Sequence, residues 1–292
     1  MITTTRNPQN IWRVIDLLKW GEQYFTDNSF DNPRKEIEIF LQGILECSRV
    51  ELYLRFEEPL TNNQREKLRE WVKRRKNREP IQYITGKAGF YNLILEVTQD
   101  VLIPRPESER LVEILIETIS KKANISILDI GTGSGCLALA LGKEIPKANI
   151  TGIDKSSKAI KIAKLNAKKL KIDNVKFLQL DLFEDSIMEK YDILISNPPY
   201  IPKNEIESLM PDVKDFEPLS ALTDSADGLT FYHKISEISS TLVNSHGWLF
   251  LEVGLGEHPN KAMNLFANEK FKNIELIQDY NGDDRVLKAQ VV

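Results

Sequence analysis

The chain has 292 residues, 41% hydrophobic and 28% charged, with a net charge of −4 from 39 Lys/Arg and 43 Asp/Glu. That length allows one large domain or two modest ones, and the composition is that of a folded chain rather than a disordered one. The mild acidity excludes a protein whose affinity rests mainly on a strongly basic surface. The longest apolar run, Cys136 to Leu141, is too short to cross a bilayer. The polar start, MITTTRNPQN, lacks the apolar stretch of a signal peptide, so a cytoplasmic location is the default. Two cysteines, Cys47 and Cys136, suggest neither a disulfide framework nor a thiolate metal site. His233, His246 and His258 follow no ligand spacing, so no metal is expected.

The first 85 residues read as helices. Ile11, Val14, Ile15, Leu18 and Phe25 fall on one helical face. Asp31-Asn32-Pro33 is a cap followed by a first-turn proline, and it opens a helix with Ile37, Phe40, Leu41, Ile44 and Leu45 on one stripe. Thr61 and Gln64 have capping-box spacing before a helix through Leu68, Trp71 and Val72. Residues 64–79 hold eight Lys/Arg against three Glu, which reads as a solvated helix face or a contact surface for an RNA-like or acidic partner.

The pattern changes over residues 86–104. Leu93, Leu95 and Val97 alternate, then Gln99-Asp100 leads into Val101-Leu102-Ile103, which predicts a β-hairpin and a linker. Beyond it, apolar strands at 125–130, 149–153, 175–180, 191–195 and 248–253 alternate with helical patterns at 107–121, 134–143, 156–171 and 227–243. This is the grammar of a parallel sheet with helices on both faces. Two last strands, 271–278 and 286–291, are joined by the short turn Asn281-Gly282-Asp283-Asp284 and predict one antiparallel strand. Residues 1–103 carry 16 Lys/Arg and 15 Asp/Glu, and the remainder 23 and 28, so the excess acid lies in the second part.

The segment ILDIGTGSGCLALAL runs from a strand ending near Asp129 through Gly131-Thr132-Gly133-Ser134-Gly135 into a helix. Ligands of doubly wound sheets bind at such strand ends, and glycines let backbone approach them closely. Cys136 replaces the third glycine of a dinucleotide fingerprint, and no Lys-Ser/Thr follows for a P-loop. Asp129 would repel a pyrophosphate but favour a cation, which suits the sulfonium and ammonium of S-adenosylmethionine. Asp154 ends the next strand. Ser156 and Ser157 can cap the following helix, so Asp154 is left to accept ribose hydroxyls. Asp181 follows the third strand, where the adenine amino group is the expected partner, with Leu182 and Phe183 beside it. A turn aspartate is the alternative there.

After the fourth strand comes Ser196-Asn197-Pro198-Pro199-Tyr200. Two prolines fix φ and remove two N–H donors. The Asn197 amide and the carbonyls of residues 197 and 198 then form a rigid set of acceptors beside the Tyr200 ring. Such a set suits methyl transfer to a planar –NH2 group. That nitrogen is a poor nucleophile and gains positive charge as it attacks, so acceptors aimed at its hydrogens act selectively in the transition state. A structural Pro-Pro turn is the bland reading.

At this point the chain resembles a class I S-adenosylmethionine-dependent methyltransferase, and more closely the release factor glutamine methyltransferase family. The resemblance rests on DNPRKEIEIFLQGIL, SRVELYLRFEEPL, REPIQYITGKAGFY, VLIPRPESERLVE, ILDIGTGSG, NPPYIP, FEPLSAL, LEVG and DYNGDDRVL. NPPY is shared with amino-methyltransferases of adenine, guanine and glutamine, whereas EPIQYITG joined to IPRPESE is specific to the glutamine enzymes. The resemblance implies a Rossmann-like seven-stranded sheet, with a helical substrate-recognition domain (1–85), a hairpin linker (86–104) and a methyltransferase domain (105–292). It implies N5-methylation of the glutamine in the GGQ motif of class I peptide chain release factors. The cofactor set would be Asp129, Gly131, Thr132, Gly133, Ser134, Gly135, Asp154, Asp181, Leu182 and Asn197. The substrate amide would meet Asn197, Pro198, Pro199 and Tyr200, of which Asn197, Pro198 and Tyr200 carry the chemistry. Neither a nucleic-acid substrate nor a membrane is expected. Tyr91 stands where a tryptophan is common, Leu182 where some members carry tryptophan, and Ser108 replaces a usual threonine. Arg105, Glu107, Glu217 and Arg285 belong to matching motifs, as structural ion pairs or as anchors of the substrate loop. A nucleic-acid amino-methyltransferase and a non-catalytic cofactor-binding adaptor are the competing readings.

Overall fold

The computed structural model describes residues 11–119 and 124–292. The polar start read above and the end of the helix expected over 107–121 lie outside the described residues. The chain divides between Thr85 and Gly86 into two compact units. Among the described residues no helix is long and apolar enough to cross a membrane.

The first unit is helical, with elements at Val14–Asp27, Pro33–Leu45, Arg49–Leu54, Asn62–Lys76 and Ile81–Thr85. Ile11 lies before the first helix and is exposed, so it does not extend that helix's apolar face. Pro33 starts the second helix, although Asn32 makes no side-chain cap. Two capping boxes set the next starts. Ser48 Oγ accepts from Glu51 N (3.2 Å) and Thr61 Oγ1 from Gln64 N (3.3 Å), while both third residues reach back to the cap N–H. The apolar stripes meet in one core around Leu18, Phe25, Ile37, Phe40, Leu41 and Trp71. Gly21 allows the first two helices to touch, since a Cβ there would fall 2.3 Å from Ile37.

Much of the basic run is neutralised inside this unit. Arg74 pairs with Glu79 and Arg75 with Glu36, at 2.6 and 2.9 Å, and Arg75 and Arg78 stack over Phe30. Glu38 is a buried carboxylate that accepts from Tyr53 Oη (2.5 Å), Arg34 Nε (2.9 Å) and Arg49 Nε (2.8 Å). Burial works to raise its pKa, but those three donors outweigh it and hold the carboxyl below its ordinary value.

The second unit opens with the hairpin β1 (Lys87–Phe90) and β2 (Leu93–Glu96). The turn is at Tyr91-Asn92, not at Gln99-Asp100, and Val101–Ile103 form no strand. Both turn residues have positive φ, 44° and 58°. That is the two-residue geometry that matches strand twist, and asparagine tolerates it. Phe90, Leu93 and Leu95 from the hairpin pack with Leu111, Leu115 and Leu139 in the core of this unit.

The remaining strands are β3 (Ser126–Ile130), β4 (Asn149–Asp154), β5 (Val175–Gln179), β6 (Tyr191–Ser196), β7 (Val243–Glu252), β8 (Phe271–Gln278) and β9 (Asp284–Val291). They form one sheet in the order β5-β4-β3-β6-β7-β9-β8. The first five are parallel, and β9 is the reversed strand between β7 and β8. β7 begins five residues before the apolar pattern does, because Val243 still pairs with Tyr191 across a bulge. Helices Glu109–Ile119, Cys136–Glu144 and Ser157–Leu170 cover one face, and Thr230–Leu242 and His258–Phe266 the other. Alternation along β3 sends Ile127 to the first face and Leu128 and Ile130 to the second.

Two stability predictions follow from these contacts. An alanine at Gly135 must hold φ near +83° and would meet Phe177 at 2.9 Å and Ala163 and Leu139 at 3.2 Å. Gly135→Ala should lower urea-unfolding stability by about 2–4 kcal/mol, and a wild-type midpoint would contradict this packing. The Glu38 contribution is present above the unfolded carboxyl pKa of 4.5 and is lost as pH falls through the lower folded value. Glu38→Gln should therefore reduce stability at pH 7 and flatten the loss between neutral and acid pH, measured by denaturant titration at each pH.

Candidate active site

The parallel strands run outward from β3 to β4 and β5, then return to β6 on the other side of β3. The direction of winding reverses between β3 and β6, where following loops diverge and open a crevice. Ile130 is opposite Ser196 in register, and Ser196 Oγ donates to Ile130 O at 2.7 Å. The two most distinctive sequence loops therefore leave adjacent strand ends. A cavity of about 230 Å³ lies there, lined by Gly131, Gly133, Asp154, Asp181, Leu182, Asn197 and Pro199, with Leu102, Ala221 and Phe231 at its apolar walls.

The glycine loop is tied down through its backbone. Gly131 N and Thr132 N both donate to Ile153 O at 2.9 Å, and Gly133 N donates to Asp154 Oδ2 at 3.0 Å. Gly131, Gly133 and Gly135 all have positive φ, which explains three glycines in five residues. Thr132, Ser134 and Gly135 support the loop from beneath and do not line the cavity. Asn166, unnoticed in the sequence, is buried on helix Ser157–Leu170. Its Nδ2 donates to Ser134 O (2.9 Å) and to Glu96 O (3.0 Å), joining the loop to β2.

Asp129 faces away from the cavity. It is fully buried under the loop, where Oδ2 accepts from Thr132 Oγ1 at 2.6 Å and Oδ1 has no hydrogen-bond partner. Burial pushes its pKa up to about 7 against the Thr132 hydrogen bond. Asp154 does line the cavity. Its oxygens accept from Ser156 N (2.8 Å) and Gly133 N (3.0 Å), and burial raises its pKa against both. Ser156 Oγ caps the next helix by accepting from Ala159 N, so Asp154 is not the cap. Each carboxylate oxygen of Asp154 keeps acceptor capacity for a vicinal diol. Asp181 makes the local turn of the alternative reading. Oδ1 accepts from Phe183 N (2.9 Å) in a local turn, and the residue also lines the cavity. Phe183 meets Phe231 edge to face at 5.1 Å, which adds an aromatic edge beside a slot suited to a planar ring.

Asn197 lines the cavity, and its Nδ2 donates to Ser108 Oγ at 3.0 Å. Ser108 Oγ in turn donates to Glu252 Oε2 at 2.5 Å. With Nδ2 committed to Ser108, the amide oxygen is the end left for a ligand. Pro199 lines the cavity and Pro198 is buried outside its lining. Tyr200 lies behind the proline turn. Its hydroxyl donates to Glu252 Oε1 at 3.3 Å, and burial raises its pKa. A Cβ on Gly228 would fall 2.2 Å from Tyr200 O, and one on Gly254 would fall 3.1 Å from the ring. His258 joins these two loops: Gly254 N donates to Nδ1 and Nε2 meets Gly228 O, both at 3.1 Å. The ring of His258 lies between Tyr200 and Tyr232. Its isolation in the sequence hid that role.

Arg105, Glu217 and Arg285 form structural pairs. Arg105 Nη2 donates to Glu217 Oε1 at 2.5 Å, and Ile103 N donates to Glu217 Oε2 at 3.3 Å. This pins the start of the cavity wall at Pro218, Ser220 and Ala221. Arg285 pairs with Asp279 at 3.1 Å and donates to Val253 O. Burial raises the Glu252 pKa, and the charge of Glu107 adds to that rise. Among the described residues no group of three His, Cys, Asp or Glu side chains comes together to hold a metal.

Two family models match: the PrmC N-terminal domain over residues 16–86 and the methyltransferase small domain over 109–211. Among solved structures, a methyltransferase from Pyrococcus furiosus superposes with a TM-score of 0.52 at 15% identity, covering 79% of this chain and 98% of that one. The Thermus thermophilus 16S rRNA N2 G1207 methyltransferase, solved with AdoMet and guanosine, gives 0.52 at 18% identity over 70% of this chain and 50% of that one. These similarities show the fold. The release factor glutamine methyltransferase of Geobacter sulfurreducens is 37% identical over 287 residues, covering 98% of this chain and 99% of the relative. The enzyme of that name from Buchnera aphidicola subsp. Schizaphis graminum is 42% identical over 260 residues, covering 89% and 93%. With that identity across both of its units, the chain belongs to the release factor glutamine methyltransferase family and is a methyltransferase.

Proposed function

We propose that this enzyme methylates the side-chain amide nitrogen of the glutamine in the GGQ motif of class I peptide chain release factors, with S-adenosylmethionine as donor. The observation that carries this reading is the Asn197 carboxamide on the wall of a glycine-loop cavity, with its Nδ2 tied to Ser108 and its oxygen left for a ligand. The donor set fits the cofactor. Asp154 offers two carboxylate oxygens on the wall, Leu102, Leu182 and Phe231 are apolar residues of the lining, and a buried Asp129 oxygen without a partner lies beneath the loop. When bound, S-adenosylmethionine supplies an electrophilic methyl group on a sulfonium.

The protein's own work is to hold the amide and stabilise developing charge. A glutamine amide nitrogen has a delocalised lone pair and gains positive charge as it is methylated. Asn197, on the cavity wall, supplies acceptors for its hydrogens in its side-chain oxygen and its carbonyl. The prolines at 198 and 199 carry no competing N–H. Fixed acceptors need no reorganisation during the reaction. The proton leaves after methylation has made the nitrogen acidic, so a strong base is not needed. The helical first unit would contact the release factor, and the reaction belongs in the cytoplasm.

The test incubates the enzyme with labelled S-adenosylmethionine and, separately, a release factor, its GGQ glutamine variant, ribosomes and DNA. Label on the wild-type factor alone is expected, and label persisting on the glutamine variant or appearing on DNA would overturn the reading. Asn197→Ala should cut turnover by about 10²-fold or more while leaving cofactor binding largely intact, as for loss of one transition-state partner. Asp154→Ala should weaken cofactor binding by roughly 10-fold or more, the scale of one hydrogen bond to a charged group. Calorimetry separates these two phenotypes.

A further inference from the structure

We infer that Ser108 and Glu252 are positioning residues that set which end of the Asn197 carboxamide faces the reacting amide. The inference rests on the methyl-transfer reading above and adds two residues to it. Ser108 lies at the end of the short 3-10 turn Pro106–Ser108, and Glu252 ends β7. Both are buried, at 2% and 1% exposure, so water does not compete for their hydrogen bonds.

The orientation follows from counting protons. A hydroxyl has one hydrogen to donate, and an ionised carboxylate only accepts. The Ser108 hydrogen is directed to Glu252 Oε2 at 2.5 Å. Ser108 Oγ can then only accept from Asn197, and only the Nδ2 end of the carboxamide can donate. Asn197 Oδ1 is thereby turned toward the ligand, the end that can accept from an amide nitrogen gaining positive charge. Reversing the serine would reverse the asparagine. If Glu252 carries a proton on Oε2, it donates to Ser108 Oγ, the serine hydrogen is released toward Asn197, and Nδ2 becomes the end offered to the substrate. A donor facing a nitrogen that is becoming positive opposes the reaction.

The groups around Glu252 bear on that switch from every side. Tyr200 Oη donates to Oε1, Tyr232 Oη donates to the Glu252 carbonyl, Arg285 favours the ionised form, and Glu107 opposes it. Burial pushes the Glu252 pKa up to about 7 against the Ser108, Arg285 and Tyr200 contributions. The acceptor orientation of Asn197 therefore belongs to the ionised form and is lost as pH falls through that value.

The experiment uses the full chain with a release factor. Ser108→Ala should lower kcat by about tenfold or more, a scale within that of a misplaced catalytic group. KM for the release factor and calorimetric affinity for S-adenosylmethionine should stay unchanged. Ser108→Thr, which keeps the hydroxyl, should restore kcat. Glu252→Gln should lower kcat and remove the acid limb of the kcat–pH profile near 7. A wild-type kcat in Ser108→Ala, a parallel loss of cofactor affinity, or no rescue by Ser108→Thr would overturn the proposal. A second readout does not depend on the substrate. The Asn197 side-chain NH2 resonance, assigned by its loss in Asn197→Ala, should shift in Ser108→Ala and titrate with Glu252. An unmoved resonance would overturn this inference whatever the enzyme methylates, whereas an unlabelled release factor with a moved resonance would overturn only the substrate reading.

Discussion

The site depends on the reversal of winding between β3 and β6. Both strands run the same way, and their ends are in register, Ile130 opposite Ser196. The chain nevertheless leaves β3 for one side of the sheet and β6 for the other. Backbone diverging from two neighbouring strand ends cannot close over them, so a crevice is obligatory. The polar contacts of the site are arranged around this point. Ser196 Oγ holds Ile130 O across the two strands, and Ile153 O on the other neighbour of β3 takes two N–H groups of the glycine loop. The start of the loop is thus held by the sheet backbone, and Asp154, Asp129 and Asn166 hold the rest of it.

Three acids share this end of the molecule, Asp129 and Glu252 buried and Asp154 half-buried, and desolvation drives each of their pKa values up. Their compensation differs, and with it their use. Asp154 is held by two backbone N–H groups and lines the cavity, so it can accept from a ligand there. Asp129 has the Thr132 hydroxyl on one oxygen and none on the other, and serves from under the loop. Glu252 is surrounded by Ser108, Tyr200 and the charge of Arg285, and its influence passes outward through Ser108 to Asn197. Isolated buried charge is expensive, and the apolar clusters on the two sheet faces oppose that cost.

In the helical unit, charge serves the fold. The run of cations at 64–79 looks from composition like one basic face. Arg74 and Arg75 are instead absorbed by Glu79 and Glu36, and the guanidinium groups of Arg75 and Arg78 lie on Phe30. Glu36 comes from the helix Pro33–Leu45 and Phe30 from the loop before it, well away in sequence, so a window of composition does not reveal them.

The strands, the glycine loop and the proline turn were legible in the sequence because they are local. Alternation, β-branched runs and residues with special φ act over a few neighbours. That Asp154 does not cap the next helix was legible too, since Ser156 beside it takes that role. The hairpin turn was misplaced by several residues, because Tyr91-Asn92 carries only one typical turn residue and its positive φ values are sustained by the pairing of Phe90 with Leu93. Asp129 was placed toward the ligand, but strand alternation and the loop above it set its side chain into the core. Ser108, Glu252 and His258 acquire their roles only when segments far apart in the chain become neighbours: Ser108 meets Asn197 across 89 positions and Glu252 across 144. By itself the sequence determined two regions of different grammar, a doubly wound sheet and the residue types at its switch point. The tertiary structure decided which way each polar group faces, because a hydrogen bond depends on the position of both partners and local preference fixes only one.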